Sequence, residues 1–490
     1  MRSDKHKNIE NKQKGGLYTF TRFWAVLYIL ASAAFFGVVI YMDLLPAKYI
    51  YISAGIVAVL ILLLFPALYF RRFKKSRRII SLVLSMAVMA VYGVGIVYMA
   101  GTMDFLNKIT TRPAVQTVSF DVIVRSDSAY ENADNIKGLK VQTYLDNDRL
   151  YSEAKNRLQQ EQGVEYEMQE SLTALSDGLL DQTYEVLFIS EASYSTLCSE
   201  RQNFETDTKV IYQVKIEKET QEIAKKVDVT SEPFNFYVSG LDIEGAIDTV
   251  SRSDVNMIVT VNPKTHRVLL TSLPRDAYID LKSVEAKDKL THTGLMGIEE
   301  TVGVAENLLG IDINYYGKVN YTTVTRLVDA IGGIDVESDY TFTTHGMGVY
   351  YQFYEGPNHL DGSMALAFAR ERKSFPDGDL QRNRNQQIVL EGILKKALSS
   401  STILTKYTSI LNAVEDNVDL NLSQEDIQKL VKMQLDGMPS WKIERQSIIG
   451  QSGMEPCYST GDFAQASVVY LDQESIIKAL DKIVAVMEEE

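Results

Sequence analysis

Cysteine and histidine are scarce in this chain. Its 490 residues include two cysteines, Cys198 and Cys457, and five histidines. Two cysteines exclude a disulfide framework, and a single bridge between residues so far apart is not expected. No CxxC or HExxH spacing occurs, so a metal site built on Cys and His has little support. Positive charge is in deficit as well. The formal net charge is −14 although the N-terminal region is basic. The remainder is therefore strongly acidic, which argues against a nucleic-acid partner. No short apolar stretch ends in a small-residue cleavage site, so a removed signal peptide does not fit.

Charge is missing altogether from three apolar runs, 23–42, 49–70 and 79–100. Each is long enough for a helix to cross a hydrocarbon core of roughly 30 Å. The preceding tail, 1–22, is basic (Arg2, Lys5, Lys7, Lys12, Lys14, Arg22). The loop between the second and third runs carries Arg71, Arg72, Lys74, Lys75, Arg77 and Arg78, whereas 43–48 holds one acid and one base. Lys/Arg-rich loops stay in the cytoplasm. The flanks predict a multi-pass protein of the cell membrane, with a cytoplasmic N-terminus and everything after Met99 extracellular. No ATP pool exists there, so an activated substrate has to arrive already energised, most simply on a lipid.

The expected fold class is α/β: three transmembrane helices over 23–100, then two extracellular α/β domains. Strand and helix patterns alternate over 117–226, which reads as a small accessory domain. It holds no catalytic constellation. Its mixed Lys/Glu faces fit a solvated surface, with partner binding as the alternative. A second domain, 233–400, opens with strands 234–239, 255–261 and 268–272. The turn Asn262-Pro263-Lys264-Thr265-His266 makes the last two antiparallel. If the first two are antiparallel as well, Asp242, Arg252, Asp254, Arg275 and Asp276 gather on one rim of a sheet. Helices are predicted over 298–309, ending at Gly310, and over 321–331, ending at Gly332-Gly333. Asp361 fits an N-cap for 363–369. Arg370 and Arg372 share a side if that segment is extended. After the Asp377-Gly378 turn, Asp379 fits a cap for a helix that carries Arg382 and Gln386 on one face. The apolar stripe of that helix, Leu390, Ile393, Leu394 and Ala397, reads as core or as the lining of a lipid tunnel. Residues 401–490 read as a C-terminal helical extension.

Two carboxylates, Asp242 and Asp254, with several arginines suit a divalent metal and a phosphate or pyrophosphate. Carboxylate oxygens hold Mg²⁺, and the guanidinium fork holds phosphate oxygens in pairs. Phosphoryl transfer needs positioning and neutralisation of growing charge. For the proton of an incoming hydroxyl, Asp276 is the candidate base.

The motifs resemble a known family. Gly240-Leu241-Asp242, Arg252-Ser253-Asp254, Ser272-Leu273-Pro274-Arg275-Asp276, Asp288-Lys289-Leu290-Thr291-His292 and Val328-Asp329-Ala330-Ile331-Gly332-Gly333 are similar to those of LytR–CpsA–Psr (LCP) proteins. So are His359-Leu360-Asp361-Gly362, Ala369-Arg370-Glu371-Arg372 and Gly378-Asp379-Leu380-Gln381-Arg382 with Gln386. The order is kept over the whole 233–400 region. The three spans and the additional domain resemble capsule-biosynthesis, CpsA-like members. Leu241 and Leu273 depart from the family's more frequent Val and Ile, and Gly294-Leu295-Met296-Gly297 departs from its usual stretch after the His.

The resemblance implies an LCP catalytic domain with a mixed central sheet in a Gram-positive cell membrane. It implies a phosphotransferase that moves a capsular or other glycopolymer from undecaprenyl-(pyro)phosphate onto peptidoglycan, forming a phosphodiester. By analogy Asp242 and Asp254 hold Mg²⁺ (or Mn²⁺), and Arg275, Asp276 and Arg252 are catalytic. Arg252, Arg275, Lys289, Arg370, Arg372, Arg382 and Gln386 surround the pyrophosphate, while Asp379 matches a motif position. Partners would include other capsule-assembly proteins. Pyrophosphatase action is the expected side activity where water replaces the acceptor. The rival reading is a membrane-bound regulator or binding module, which the short tail without a helix-turn-helix pattern does not favour.

Overall fold

The computed structural model describes residues 2–110, 115–144, 149–201, 203–219, 222–241, 247, 251–345, 349–399, 406, 409–410, 413, 418–459 and 465–490. They fall into two compact units, Met1–Lys108 with Ser423–Pro439, and Ile109–Leu422 with Ser440–Glu490.

The first unit is helical. Helices α1 (Arg2–Met42), α2 (Ala47–Tyr69) and α3 (Lys75–Thr110) follow from the three apolar runs. Their segments Gly16–Met42, Ala47–Tyr69 and Lys75–Lys108 are long and apolar enough to cross a membrane. Polar side chains bridge the helices, as expected where lipid supplies no hydrophobic drive. Trp24 Nε1 donates to Ser85 Oγ at 2.9 Å, and Ser32 Oγ meets the Tyr92 hydroxyl at 3.1 Å. A fourth helix, Gln424–Gly437, belongs to this unit although it lies far along the chain. Ser423 caps it by accepting from the Asp426 N–H. It meets the α1–α2 connection and the first turn of α2: Lys432 pairs with Asp43, and Lys48 lies 3.2 Å from Asp436. The Tyr49 hydroxyl donates to the Leu435 carbonyl at 3.2 Å.

The second unit holds two sheets. The first contains β1 (Val115–Arg125), β2 (Lys140–Tyr144), β3 (Glu165–Gln169), β4 (Leu187–Ser190) and β5 (Thr208–Glu219), in the order β3-β2-β4-β1-β5. Alternation along β1 sends Val122 to one face and Ile123 to the other. Val122 packs with Tyr151, Ala154 and Leu158 of α4 (Arg149–Gln162). Ile123 packs with Leu172 and Leu175 of α5 (Leu172–Leu180) and Leu197 of α6 (Glu191–Glu200). A short α7 (Phe204–Asp207) precedes β5.

The second sheet is mixed. It contains β6 (Phe234–Leu241), β7 (Ser253–Asn262), β8 (Arg267–Leu273), β11 (Tyr315–Asn320), β16 (Val418–Leu420) and β17 (Lys442–Ser447), ordered β16-β11-β6-β7-β8-β17. The pairs β6–β7 and β7–β8 are antiparallel; β11 runs parallel to β6 and β17 parallel to β8. Between them lie the hairpin β9 (Tyr278–Asp280) and β10 (Lys287–Lys289), the turn α8 (Thr293–Met296) and α9 (Ile298–Leu309). One face, with Tyr237, Ile258 and Leu269, packs on Val302 and Leu309 of α9 and on the terminal helix Gln473–Met487. The other face, with Met257 and Leu270, meets Leu390 and Leu394 of α12 (Asp379–Ala397). A further core joins α10 (Tyr321–Ile331), α11 (Gly362–Arg370) and α12 to the short strands β12 (Ile334–Ser338), β13 (Phe342–Thr343), β14 (Gln352–Phe353) and β15 (Gly356–Leu360).

Two expectations are corrected. The stretch after 401 is not simply helical, because β16, β17, β18 (Gly450–Pro456) and β19 (Gln465–Leu471) lie in it. β16 is three residues long, and β17 and β18 are largely polar, so their pattern is weak. Asp379 is not the cap of α12; Gly378, at φ 44°, holds that position and Asp379 is the first helical residue. Asp361 does cap α11, accepting from the Met364 N–H.

Candidate functional site

The site grows from the ends of β6, β7 and β8. Antiparallel register sets Leu241 opposite Ser253 and Asn256 opposite Leu273. The end of β6, the start of β7 and the end of β8 therefore share one rim, and Arg252, Asp254 and Arg275 flank it. The last residue of α11, Arg370, and the following Arg372 approach from above. Arg382 and Gln386 come from one face of α12.

These seven side chains line one cavity of about 390 Å³. Its other wall is apolar, with Val238, Met257, Val324, Leu366, Val389 and Ile393. The α12 stripe divides its work: Ile393 and Leu390 line the cavity, while Leu394 packs on the sheet. Asp276, Lys289 and Asp379 do not line it. Asp242 lies outside the described residues.

Carboxylates set the positions of the guanidinium groups. Arg275 Nη1 lies 2.6 Å from Asp254 Oδ2, and the Thr291 hydroxyl donates to Asp254 Oδ1 at 3.0 Å. Behind them, Asp276 lies 3.6 Å from Arg275 Nε and 3.9 Å from Lys289 Nζ. Asp379 Oδ1 sits 3.2 Å from Arg382 Nη2 and 3.8 Å from Arg372 Nη1. The Arg370 guanidinium stands 4.2 Å over the Tyr321 ring. Thr291 and Tyr321 escaped the sequence reading. Thr291 sits inside a quoted motif, but Tyr321 carries no local signal of its role.

Arg382 is the most telling member. Its side chain is 10% exposed. Burial pushes its pKa down, Asp379 opposes that, and Arg275 and Arg372 add to it. Its Nε is buried without a hydrogen-bond partner among the described residues. A buried donor left unmade costs free energy. Among the described residues, five guanidinium groups and one carboxylate line the cavity, a surplus of positive charge. An anion with several oxygens offsets both deficits at once.

Scaffolding around the rim is tight. A Cβ on Gly294 would meet the Ser251 carbonyl at 2.6 Å and the Ser253 nitrogen at 2.7 Å, so only glycine lets α8 lie against the backbone that carries Arg252. The Thr291 loop is anchored by a buried group: His292 Nδ1 lies 2.7 Å from Asp288 Oδ1 and 2.6 Å from Ser459 Oγ. Burial works against a charged Asp288, yet His292 and the N–H groups of Lys289 and Ser459 hold its pKa below the usual range. The first sheet borders this rim. Lys218 Nζ of β5 donates to the Met296 carbonyl at 3.4 Å. The Cys198 thiol of α6 is pushed up to about 11, chiefly by burial, with the Arg252 charge acting the other way.

For a divalent metal the described donor set is thin. No group of three His, Cys, Asp or Glu side chains is placed to hold an ion among the described residues. Asp254 is the carboxylate on the cavity wall. Mg²⁺ uses one or two carboxylates and completes its shell with phosphate oxygens and water. Asp254 fits that partial role.

The family model LytR_cpsA_psr matches residues 192–483. A curated relative from Bacillus anthracis, polyisoprenyl-teichoic acid–peptidoglycan teichoic acid transferase TagU, is 38% identical over 223 residues, 45% of this chain and 71% of its own length. The TagU of Enterococcus faecalis is 33% identical over 273 residues, 54% of this chain and 84% of its own. Among solved structures, Bacillus subtilis TagU is 28% identical, covers 53% of this chain and 99% of its own, and superposes with a TM-score of 0.41.

Proposed function

Since the chain belongs to the LytR–CpsA–Psr family, we propose that it is a membrane-anchored phosphotransferase of the cell wall. It moves a glycopolymer from a polyprenyl-(pyro)phosphate carrier onto peptidoglycan. The Arg382 guanidinium, buried with a donor unmet among the described residues in an arginine-lined cavity that turns apolar, carries this reading. The relatives' names point to the same chemistry. The cationic end takes the diphosphate, and the apolar wall takes the first isoprene units of the carrier. The acceptor hydroxyl bonds to the polymer-linked phosphorus. The bond from that phosphorus to the bridging oxygen breaks, lipid phosphate leaves with the electron pair, and the hydroxyl proton is released. Arg275, Arg382, Arg370, Arg372 and Arg252 hold the phosphate oxygens as charge moves among them. Asp254 orients Arg275, and Asp276 supports the pair from behind, a positioning role for the residue first read as a base. With Asp242, Asp254 would hold Mg²⁺ or Mn²⁺, which when bound makes the leaving phosphate less basic.

Orientation follows the positive-inside rule, with the catalytic part outside the cell. Contacts of the Gln424–Gly437 helix with Asp43 and Lys48 fit a three-span topology in either orientation, because the α1–α2 connection and the chain after α3 then share a side. The glycopolymer is capsular or teichoic. Arg275→Ala tests the reading: transfer of labelled polymer to peptidoglycan should fall by roughly 10²-fold or more. Wild-type transfer by a folded Arg275→Ala protein would remove the cavity from the reaction. Unchanged Mg²⁺ dependence in Asp254→Ala would remove Asp254 as a ligand.

A further inference from the structure

Next to the arginine cavity stands a small aromatic lobe, residues 334–345 and 349–361, that the reaction above does not use. Its strands β13 and β14 pair Phe342 with Phe353 and Thr343 with Gln352. The Thr344 N–H donates to the Tyr351 carbonyl and the Glu355 N–H to Thr341 Oγ1, extending the pairing at both ends. Burial alternates from 350 to 354. Phe342 and Phe353 are buried, whereas Tyr350 is 74% and Tyr354 63% exposed, with Gln352 exposed between them. Positions two apart on a strand face one way. Tyr350, Gln352 and Tyr354 therefore form one outward stripe. At roughly 3.3 Å per residue the two backbone positions stand about 13 Å apart if the segment is extended, the reach of a few pyranose rings.

The base of this stripe is rigid. Phe342 packs on Phe353, Phe368 and Phe375 with ring centroids 4.7–5.4 Å apart. Phe375 is also the link to the cavity, since its N–H donates to the carbonyl of Arg372. The His345 N–H donates to Glu371 and the Ser374 hydroxyl to the Thr343 carbonyl. Lobe and cavity thus share the loop that carries Arg372.

Exposed aromatic rings separated by an amide side chain suit a sugar strand. Ring faces take the apolar C–H faces of pyranoses, while the Gln352 amide braces the platform between them: Thr343 Oγ1 donates to its Oε1, and its Nε2 donates to the Phe342 and Phe353 carbonyls. Charge selects among glycans. Residues 334–361 contain Asp335, Glu337, Asp339, Glu355 and Asp361 but no lysine or arginine. Such a surface repels a polyanionic polymer and tolerates a neutral one.

We propose that the Tyr350–Gln352–Tyr354 stripe seats the acceptor, the uncharged N-acetylated amino-sugar strand of peptidoglycan, beside the phosphate cavity. This rests on the transferase reading and assigns its second substrate a place.

The test uses the full chain in lipid nanodiscs and two soluble probes, chitohexaose and a polyglycerol phosphate chain. Titration calorimetry and saturation-transfer NMR should detect chitohexaose with Tyr350 and Tyr354 ring contacts, and no comparable affinity for the anionic chain. Tyr350→Ala/Tyr354→Ala should weaken chitohexaose binding by at least about tenfold. Its melting temperature and its binding of polyprenyl phosphate should match the wild type. Unchanged chitohexaose affinity in the double variant, preference for the anionic chain, or no binding by the wild type would each overturn the proposal. If chitohexaose binds as expected but the wild type neither binds nor cleaves polyprenyl pyrophosphate, the transferase reading fails and the sugar platform stands.

Discussion

At the scale of single residues, the protein gives up stability where it needs charge. Arg382 is buried, its Nε has no hydrogen bond among the described residues, and neighbouring arginines repel it. Replacing a poorly compensated buried ion by an apolar side chain of similar length is often stabilising. Arg382→Met should therefore melt a few degrees higher while transferring polymer roughly 10²-fold more slowly. Differential scanning fluorimetry beside a transfer assay checks both; a variant that is less stable and fully active would contradict the assigned role. Asp121, in β1, gives a pH-dependent case. Burial raises its pKa to about 6, against the opposing hydrogen bond from Gln213. The folded form therefore favours the protonated acid. Stability from this group is present below the unfolded pKa near 3.8 and is lost as pH rises through about 6. Asp121→Asn keeps the acceptor for Gln213 and removes the charge. It should stabilise the fold above pH 6, by about 3 kcal/mol at most, and lose its advantage below pH 4. Denaturant melts at both pH values decide this.

At the scale of elements, close approach sets the site. Gly294 lets α8 touch the backbone of Ser251 and Ser253. Gly294→Ala should push Arg252 away from the cavity and lower transfer at least about tenfold, with the donor's KM rising. A variant with wild-type kinetics would separate Arg252 placement from this contact. Much of the scaffold was legible in the sequence. The β6–β8 trio was marked by β-branched runs and one tight turn, and α9 and α10 by Gly310 and Gly332, both left-handed here. The cluster of arginines was legible through the motif order. β17 was not: Lys442, Glu444 and Gln446 give it a surface composition, and only its place beside β8 makes it a strand. Tyr321 was equally hidden, since its contact with Arg370 depends on how α10 meets α11. Asp276 and Lys289 sit in motif order with Arg275 yet do not line the cavity, because a charge's side of a loop is not written in its spacing.

At the scale of the whole molecule, topology is the testable feature. Leu45→Cys and Glu425→Cys should both react with an impermeant maleimide added to intact cells, and Ser76→Cys should not. Background is low, because burial pushes Cys198 up to about 11 and Cys457 up to about 12, leaving little thiolate near neutral pH. Labelling at Ser76 alone would invert the orientation. The membrane unit also takes in a segment from deep in the chain. The polypeptide passes between the two units three times, after Lys108, before Ser423 and after Pro439. A protease site inserted between Thr110 and Val115 would sever only the first passage. The clipped enzyme should then stay in the membrane fraction, where an ordinary single-stalk ectodomain would be shed into the medium.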